Sequence, residues 1–259
     1  MIKSALARDR VSDTQTIHSN NHHLIDKILA AAEAPLEVQE LVLAHAMRTS
    51  CQFLGIEGPD ASTSQTDLQV AFDSAREGVT IRSLLNNLYW LYNTKKFRLA
   101  CQYTRGVAKA SVRRALAMPT SSHDTGAIKE IEKRNILEEL VLHTRDPERL
   151  ATMVLDLLFA GRQTTASFVS SMLYYLARNP TVYAKLRQQV LKDFPAESTD
   201  ELIGFEDLKR CRYLQWCMNE ALRLMPAVSF GSLTANEDVV LPRGGGPQGD
   251  APIFISKAC

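Results

Sequence analysis

The stretch MVLDLLFAGRQTTASFVSSMLYYL, Met153–Leu176, decides the fold of this chain because it is a long, mostly apolar segment with helical spacing. Asp146 precedes it as a favourable N-cap, and Pro147 suits the first position of a helix. The pattern continues to Asn179, and it predicts one helix over residues 146–179, roughly 50 Å long at about 1.5 Å per residue. A helix of that length crosses a whole domain, so we expect its centre to lie deep inside the protein.

The centre of this helix contains a polar insert, Ala160-Gly161-Arg162-Gln163-Thr164-Thr165. Glycine costs about 1 kcal/mol relative to alanine inside a helix, and threonine hydroxyls compete for backbone carbonyls. Gly161 and Thr164 share one helical face, so a flat molecule could approach the backbone there. The same residues also suit a tight helix crossing, with Gly161 at the contact and the threonines bonded to their own helix. The insert alone leaves both interpretations open.

The composition excludes several classes of protein. The chain has 259 residues, 45% of them hydrophobic, and a formal net charge of +1, so it lacks the basic surface expected of a nucleic-acid-binding protein. Its five cysteines are an odd number without C-x-x-C spacing, which indicates a reducing compartment and neither a disulfide framework nor a zinc site. No run of about 20 apolar residues is present that would span a membrane.

The rest of the chain predicts a mainly α fold with a short β segment near its C-terminal end. Helical spacing predicts helices in the segment that ends at Leu54 and one helix within residues 206–225. It predicts three more helices over residues 68–84, 95–117 and 128–143. Two short strands are expected within 236–259, at 239–242 and 251–255, joined by a hairpin-like loop over Arg243–Gly249. That loop contains three consecutive glycines and an arginine, but no Lys-Ser/Thr follows it, which excludes a phosphate-binding loop of the P-loop type.

A second constellation lies in the helix predicted at 206–225. Glu220 and Arg223 place a carboxylate and a guanidinium three residues apart on one helical face, among apolar neighbours. An exposed pair at this spacing contributes only tenths of a kcal/mol and is common. The pair is therefore informative only together with the polar insert upstream of it.

In this order, the two constellations resemble motifs of the cytochrome P-450 family, the haem-thiolate monooxygenases. Ala160–Thr165 resembles the oxygen-activating motif of that family, and Glu220–Arg223 resembles its Glu-x-x-Arg motif at the expected separation. The similarity covers nearly the whole chain and includes three further segments: Ala7–Asp13, Tyr174–Pro180 and Lys185–Arg187. The segment Leu241–Pro247 resembles the corresponding segment in the fungal subfamily that hydroxylates n-alkanes and fatty acids.

The resemblance implies a partial cytochrome P-450 fold in which helix 146–179 crosses the distal face of a haem. Ala160, Gly161, Thr164 and Thr165 would then contact the cofactor. Gly161 would open a kink beside bound oxygen, and Thr164 would help to deliver protons to it. Gln163 occupies the position of the family's usual acid, and its amide has no proton to relay at neutral pH.

The resemblance also implies that Glu220 and Arg223 form a buried structural pair that takes no part in catalysis. It implies a NADPH-dependent flavoprotein reductase, O₂ and a long apolar substrate as partners, and the cytosolic face of the endoplasmic reticulum membrane as the location of the full-length protein. We expect residues 1–259 to be a single truncated domain that lacks the N-terminal anchor and the thiolate ligand of the iron. No residue of the chain is therefore assigned as a metal ligand, and Cys259 is rejected as the ligand of the iron. The alternative is a non-catalytic remnant that cannot bind haem iron through a thiolate.

Overall fold

The structure, a computed structural model, describes residues 14–31, 35–56, 65–118, 135–194, 203–231 and 233–257. The chain folds into two compact units, Met1–Met225 and Pro226–Cys259. The segment Ala7–Asp13 and the rejected ligand Cys259 lie outside the described residues. The single domain over 1–259 stays a prediction, and each unit is treated by itself below.

The first unit consists of helices, as the spacing of apolar residues predicts. In chain order they are α1 Thr14–Ala30, α2 Val38–Leu54, α3 Gln65–Leu85, a 3₁₀ helix Asn86–Leu91, α4 Lys95–Ala117, α5 Ile136–His143, α6 Pro147–Arg178, α7 Pro180–Asp193, α8 Phe205–Arg210 and α9 Arg212–Leu224. The beginning of the helix predicted at 128–143 lies outside the described residues.

The long helix α6 begins and ends where the sequence predicts. The Asp146 carboxylate accepts hydrogen bonds from the backbone N–H groups of Glu148 and Arg149, at 3.0 and 3.4 Å. These bonds satisfy two of the donors that a helix leaves unpaired at its N-terminus. Pro147 occupies the first turn, and the helix ends at Arg178.

The core of the first unit lies where α2, α3, α4 and α5 meet the first half of α6. Its most deeply buried apolar side chains are Met47, Leu137, Leu140, Leu150, Val112, Val154 and Leu158. A smaller cluster joins α2 to the middle of α6 through Val42, Ala46 and Ala166. Along α6, the polar insert lies between the residues of the first cluster and those of the second. The insert is at the middle of α6, the unit's longest helix. No helix in the described ranges is long and apolar enough to cross a membrane.

The prediction of one continuous helix within 206–225 is wrong. The chain forms two helices, α8 and α9, which are separated by Cys211 with φ −72° and ψ 77°. That ψ value lies far from the helical region, so the chain turns at this residue. Cys211 is fully buried at the turn, and its carbonyl accepts the hydrogen bond from Gln215 that begins α9. A break confined to one residue leaves the apolar spacing on both sides intact, which is why the sequence pattern did not reveal it.

The second unit contains the β segment that the sequence predicts. Strands β1, Val239–Gly245, and β2, Ala251–Ile255, pair antiparallel with Val239 opposite Ile255 and Gly245 opposite Ala251. The register is irregular between Leu241 and Gly245. In the connection, Gly246 and Gly249 have φ values of 76° and 70°, which glycine adopts without steric cost. The hairpin-like loop is therefore confirmed, with β1 three residues longer than the 239–242 predicted.

Candidate functional site

The polar insert forms an open patch of small side chains on α6. Ala160 and Thr165 are exposed, while Gly161, Gln163 and Thr164 are half-buried. The helix runs continuously from Pro147 to Arg178 through these residues. The kink that the family resemblance implies at Gly161 stays a prediction. A long helix with a buried first half therefore presents small, weakly polar residues to open space at its centre.

Gly161 is not required by packing. A Cβ added there would have only one atom from outside its own turn within 4 Å, Ser50 Oγ of α2 at 3.2 Å. Gly78 of α3 shows the contrast, because a Cβ there would meet ring atoms of Phe97 at 2.6 and 2.8 Å and a third ring atom that is closer still. The tight helix crossing in this unit thus lies at Gly78, which the sequence analysis did not single out. Packing does not explain why a glycine stands at position 161.

Thr164 and Gln163 have different hydrogen-bonding states. The Thr164 hydroxyl donates to the Ala160 carbonyl at 2.7 Å, as the helix-crossing interpretation predicts. The hydroxyl oxygen keeps its acceptor capacity, but its proton is engaged by its own helix. Gln163 Oε1 is buried and has no hydrogen-bond donor within the described residues. A buried acceptor in this state requires a partner, and a water molecule is the simplest donor.

Arg162, the remaining charged residue of the insert, is fully buried and pairs with Asp73 of α3. Both guanidinium Nη atoms donate to the Asp73 carboxylate, Nη2 to Oδ2 at 2.9 Å. The guanidinium carbon also lies 5.5 Å from the centre of the Phe72 ring. The sequence analysis missed this pair, although an arginine within an apolar helix is a signal that a buried carboxylate partner is needed.

The expectation that Glu220 and Arg223 form a buried pair is wrong for this structure. The two side chains form a bidentate ion pair, with both N–O distances at 2.7 Å. Their exposed fractions are 56% for Glu220 and 67% for Arg223, so water surrounds the pair. The hydrogen bond from Arg223 lowers the pKa of the Glu220 carboxyl, and the same bond raises the pKa of Arg223. Apolar neighbours in sequence did not predict burial because two of them, Trp216 and Leu224, are themselves 57% and 46% exposed.

The structure does not bring the two motifs together. Glu220 lines a groove of about 360 Å³ between α6, α7 and α9, together with Tyr175, Trp216 and Leu224. The α6 wall of this groove begins at Met172, about 12 Å beyond Thr164 along the axis at about 1.5 Å per residue. The insert and the ion pair are therefore separate features of one helical unit.

The chain belongs to the cytochrome P-450 family. The family model matches residues 4–246, most of the chain, and includes both motifs. Haem is the cofactor of full-length members of that family.

The curated relatives are fungal. The chain is 33% identical to cytochrome P-450 52A6 of Candida tropicalis, covering 99% of this chain and 51% of the relative. It is 33% identical to cytochrome P-450 52A12 of Debaryomyces hansenii, covering 99% of this chain and 52% of that one. The chain thus spans about half the length of the curated relatives it matches.

Two solved structures share the fold. A cytochrome P-450 named CYP102L1 superposes with a TM-score of 0.71 at 18% identity, over 99% of this chain and 57% of its own. The cyanobacterial CYP120A1, solved with retinoic acid bound, superposes with a TM-score of 0.62 at 18% identity, over 99% of this chain and 52% of its own. The partial cytochrome P-450 fold predicted from the sequence is confirmed.

The residues present fit one face of a flat cofactor such as haem. Ala160 is small and exposed, Thr165 is exposed, and the backbone at Gly161 carries no side chain. These features leave room for a planar molecule against the centre of α6. The described residues contain no cluster of three or more His, Cys, Asp or Glu side chains that would hold a metal ion by themselves.

Proposed function

We propose that this chain is part of a haem-thiolate monooxygenase that inserts one oxygen atom of O₂ into a C–H bond of a long-chain alkane or fatty acid. The observation that carries the proposal is Gly161, where an added Cβ would meet only the movable Ser50 side chain among the described residues, with Oγ at 3.2 Å. A glycine inside a helix costs about 1 kcal/mol. A molecule that binds close to the backbone at this point would explain why a glycine is present there.

In this proposal Ala160, Gly161, Thr164 and Thr165 contact the haem, which supplies the oxygen-activating chemistry when it is bound. Thr164 holds a proton at Oγ1, and the hydroxyl must rotate away from the Ala160 carbonyl before it donates elsewhere. Gln163 cannot serve as an acid, because an amide does not titrate near neutral pH. Its unpartnered Oε1 supports a bound water at this position, and water then carries the proton that an acid would supply.

The substrate class and the partners rest on the resemblance of Leu241–Pro247 to the fungal alkane and fatty-acid hydroxylases. A NADPH-dependent flavoprotein reductase provides the two electrons that reduce the second oxygen atom to water. We place the whole protein on the cytosolic face of the endoplasmic reticulum membrane, held there by an N-terminal anchor. Glu220 and Arg223 serve as a structural pair that stabilises the end of α9.

Haem titration of the chain tests the proposal at its first step. We expect a saturable change in the haem absorbance band, which Ala160→Trp abolishes because the indole ring would fill the patch. Arg178→Trp is the matched control, since it adds the same ring at an exposed position on the same helix. Equal haem binding by both variants would show that the patch is not the haem surface.

Oxygen labelling tests the reaction itself. With the full-length protein, haem, reductase, NADPH and ¹⁸O₂, we expect one ¹⁸O atom in the hydroxyl group of a product formed from dodecanoic acid or dodecane. The alternative, a non-catalytic remnant, is favoured by Gln163 in the position of an acid and by the engaged Thr164 proton. Haem binding without a thiolate-type carbon monoxide spectrum, and without labelled product, would support that alternative.

A further inference from the structure

A small cavity in the first unit is lined by basic and imidazole side chains. It lies between α1, α2 and the first turns of α3 and has a volume of about 180 Å³. The polar residues that line it are Asn20, His23 and Lys27 of α1, His45 and Arg48 of α2, and Gln69 of α3. Among the described residues, no carboxylate lines it, and none of the lining residues belongs to the polar insert of α6.

The described residues do not pair the two permanently charged side chains of this cavity. Within the described ranges, neither Lys27 nor Arg48 forms an ion pair. The charge of Arg48 is the main cause that lowers the pKa of His23, followed by burial and by Lys27, while Asp26 opposes them. Burial is the main cause that lowers the pKa of His45, and the charge of Arg48 adds to it. Arg48 therefore disfavours the charged form of both imidazoles in the absence of an anion.

Hydrogen bonding within the protein leaves one nitrogen of each imidazole available at the cavity. His23 Nε2 is buried and has no partner among the described residues. His45 Nδ1 lies 3.2 Å from the Asn20 carbonyl oxygen, so this nitrogen donates and Nε2 is left for another partner. The Asn20 side chain is fixed in turn, since its amide donates to Thr49 Oγ1 and Gln52 Oε1. The walls from α1 and α2 are thus tied together before any ligand binds.

We propose that the cavity lined by His23, Lys27, His45 and Arg48 binds a small divalent oxyanion such as a phosphate group. A guanidinium and an ammonium match the charge of such a ligand, and the guanidinium binds two of its oxygens at once. The imidazoles add donors when they are protonated. The proposal is independent of haem binding, because the two sites share no residue.

The site predicts a linkage between anion binding and proton binding. An anion in the cavity raises the pKa of His23 and His45, because an opposite charge favours the imidazolium form. The affinity for the anion therefore increases as the pH falls and the imidazoles become protonated. The charge of Asp26 favours protonated His23 both with and without a bound anion, so it does not cause the linkage. Gln69, which also lines the cavity, does not titrate.

Calorimetric titration of the full chain with sulfate tests the site, because sulfate keeps its charge between about pH 5.5 and pH 8 where histidine titrates. At constant ionic strength in chloride we expect one saturable site that binds about fivefold more tightly at the lower pH. Arg48→Gln should abolish saturable binding, and His23→Gln with His45→Gln should remove most of the pH dependence. Arg187→Gln, an exposed arginine on α7, is the matched control and should bind as the parent does. Circular dichroism verifies that each variant is folded.

Three results would overturn the proposal: sulfate binding without saturation, unchanged binding in both Arg48→Gln and Lys27→Gln, or equal affinity at both pH values. Inorganic phosphate and vesicles containing phosphatidic acid then identify the source of the anion. Vesicle capture that Arg48→Gln abolishes assigns the phosphate to a lipid headgroup. Binding of inorganic phosphate without vesicle capture assigns it to a free anion, and either result upholds the site.

Discussion

Arg162 of α6 and Asp73 of α3 form a buried ion pair at the centre of the helical unit. The Arg162 side chain is 0% exposed, and the Asp73 side chain is 37% exposed. Arg162 Nε has no partner among the described residues, and the two hydrogen bonds that the guanidinium donates within them both go to the Asp73 carboxylate. The pair links α3 to α6 at the residue between Gly161 and Gln163.

Removing the carboxylate should destabilise the chain strongly. In Asp73→Ala the guanidinium stays buried without a counter-charge, and we expect a loss of about 3 kcal/mol in the free energy of unfolding, the lower end for buried pairs because Asp73 is partly solvated. Urea denaturation measures this. Asp73→Leu combined with Arg162→Met should recover most of the loss, since apolar residues of similar size replace the pair. Glu77→Ala, an exposed acid on α3, is the control and should change stability by less than about 0.5 kcal/mol.

Two of the helix glycines, Gly161 and Gly78, should respond oppositely to alanine. Gly161→Ala gains up to about 1 kcal/mol of helix propensity, and only the movable Ser50 side chain crowds the new methyl group. Gly78→Ala forces a methyl group into the Phe97 ring, and overpacking of this kind costs about 1–3 kcal/mol. Thermal unfolding of both variants in parallel checks the contrast. Destabilisation of Gly161→Ala by as much as Gly78→Ala would mean that position 161 is a packing contact after all.

Cys51 should be less reactive than Cys101. Burial raises its pKa to about 12, against a small opposing effect of the Arg162 charge, so the thiol stays protonated at neutral and mildly alkaline pH. Thiolates are the reactive form, and Cys51 is also shielded from the reagent. Peptide mapping after iodoacetamide treatment should find Cys51 unlabelled in the folded chain and labelled in urea. Cys101, which is only half-buried, is the internal comparison and should be alkylated earlier.

The sequence predicted the features that depend on regular spacing or on local chemistry. The beginning of α6 follows from Asp146 and Pro147, and the hairpin follows from the glycines between two short apolar runs. It did not predict features that depend on which elements meet. The burial of Arg162 requires Asp73, which lies 89 positions away along the chain, and the close contact at Gly78 requires the Phe97 ring.

The same limit explains the errors at α9. Apolar neighbours of Glu220 suggested burial, but Trp216 and Leu224 line the same groove and are themselves exposed, and only the packing of other elements decides what covers them. The break at Cys211 changes one ψ angle and no side-chain pattern. For the polar insert, the sequence left two interpretations open, and the structure contains a feature of each: Thr164 is bonded to its own helix, and a Cβ at Gly161 would meet only the movable Ser50 side chain among the described residues.

Stability should fall as the pH is lowered through the range of histidine, and His45 should account for part of the change. Burial lowers the pKa of His45 from its ordinary value of 6.5, so the unfolded chain binds this proton more tightly than the folded chain does. The free energy of unfolding therefore decreases as the pH falls below about 6.5, and the contribution of His45 is fully present only above that value. We expect His45→Gln to show a smaller decrease than the parent between about pH 7.5 and pH 5 in urea denaturation. The measurement is made in chloride, because sulfate or phosphate in the neighbouring cavity would favour protonated His45. His22→Gln, an exposed position on α1, is the matched control and should retain the pH dependence of the parent. An equal decrease in His45→Gln and the parent would show that the lowered pKa of His45 is not coupled to folding.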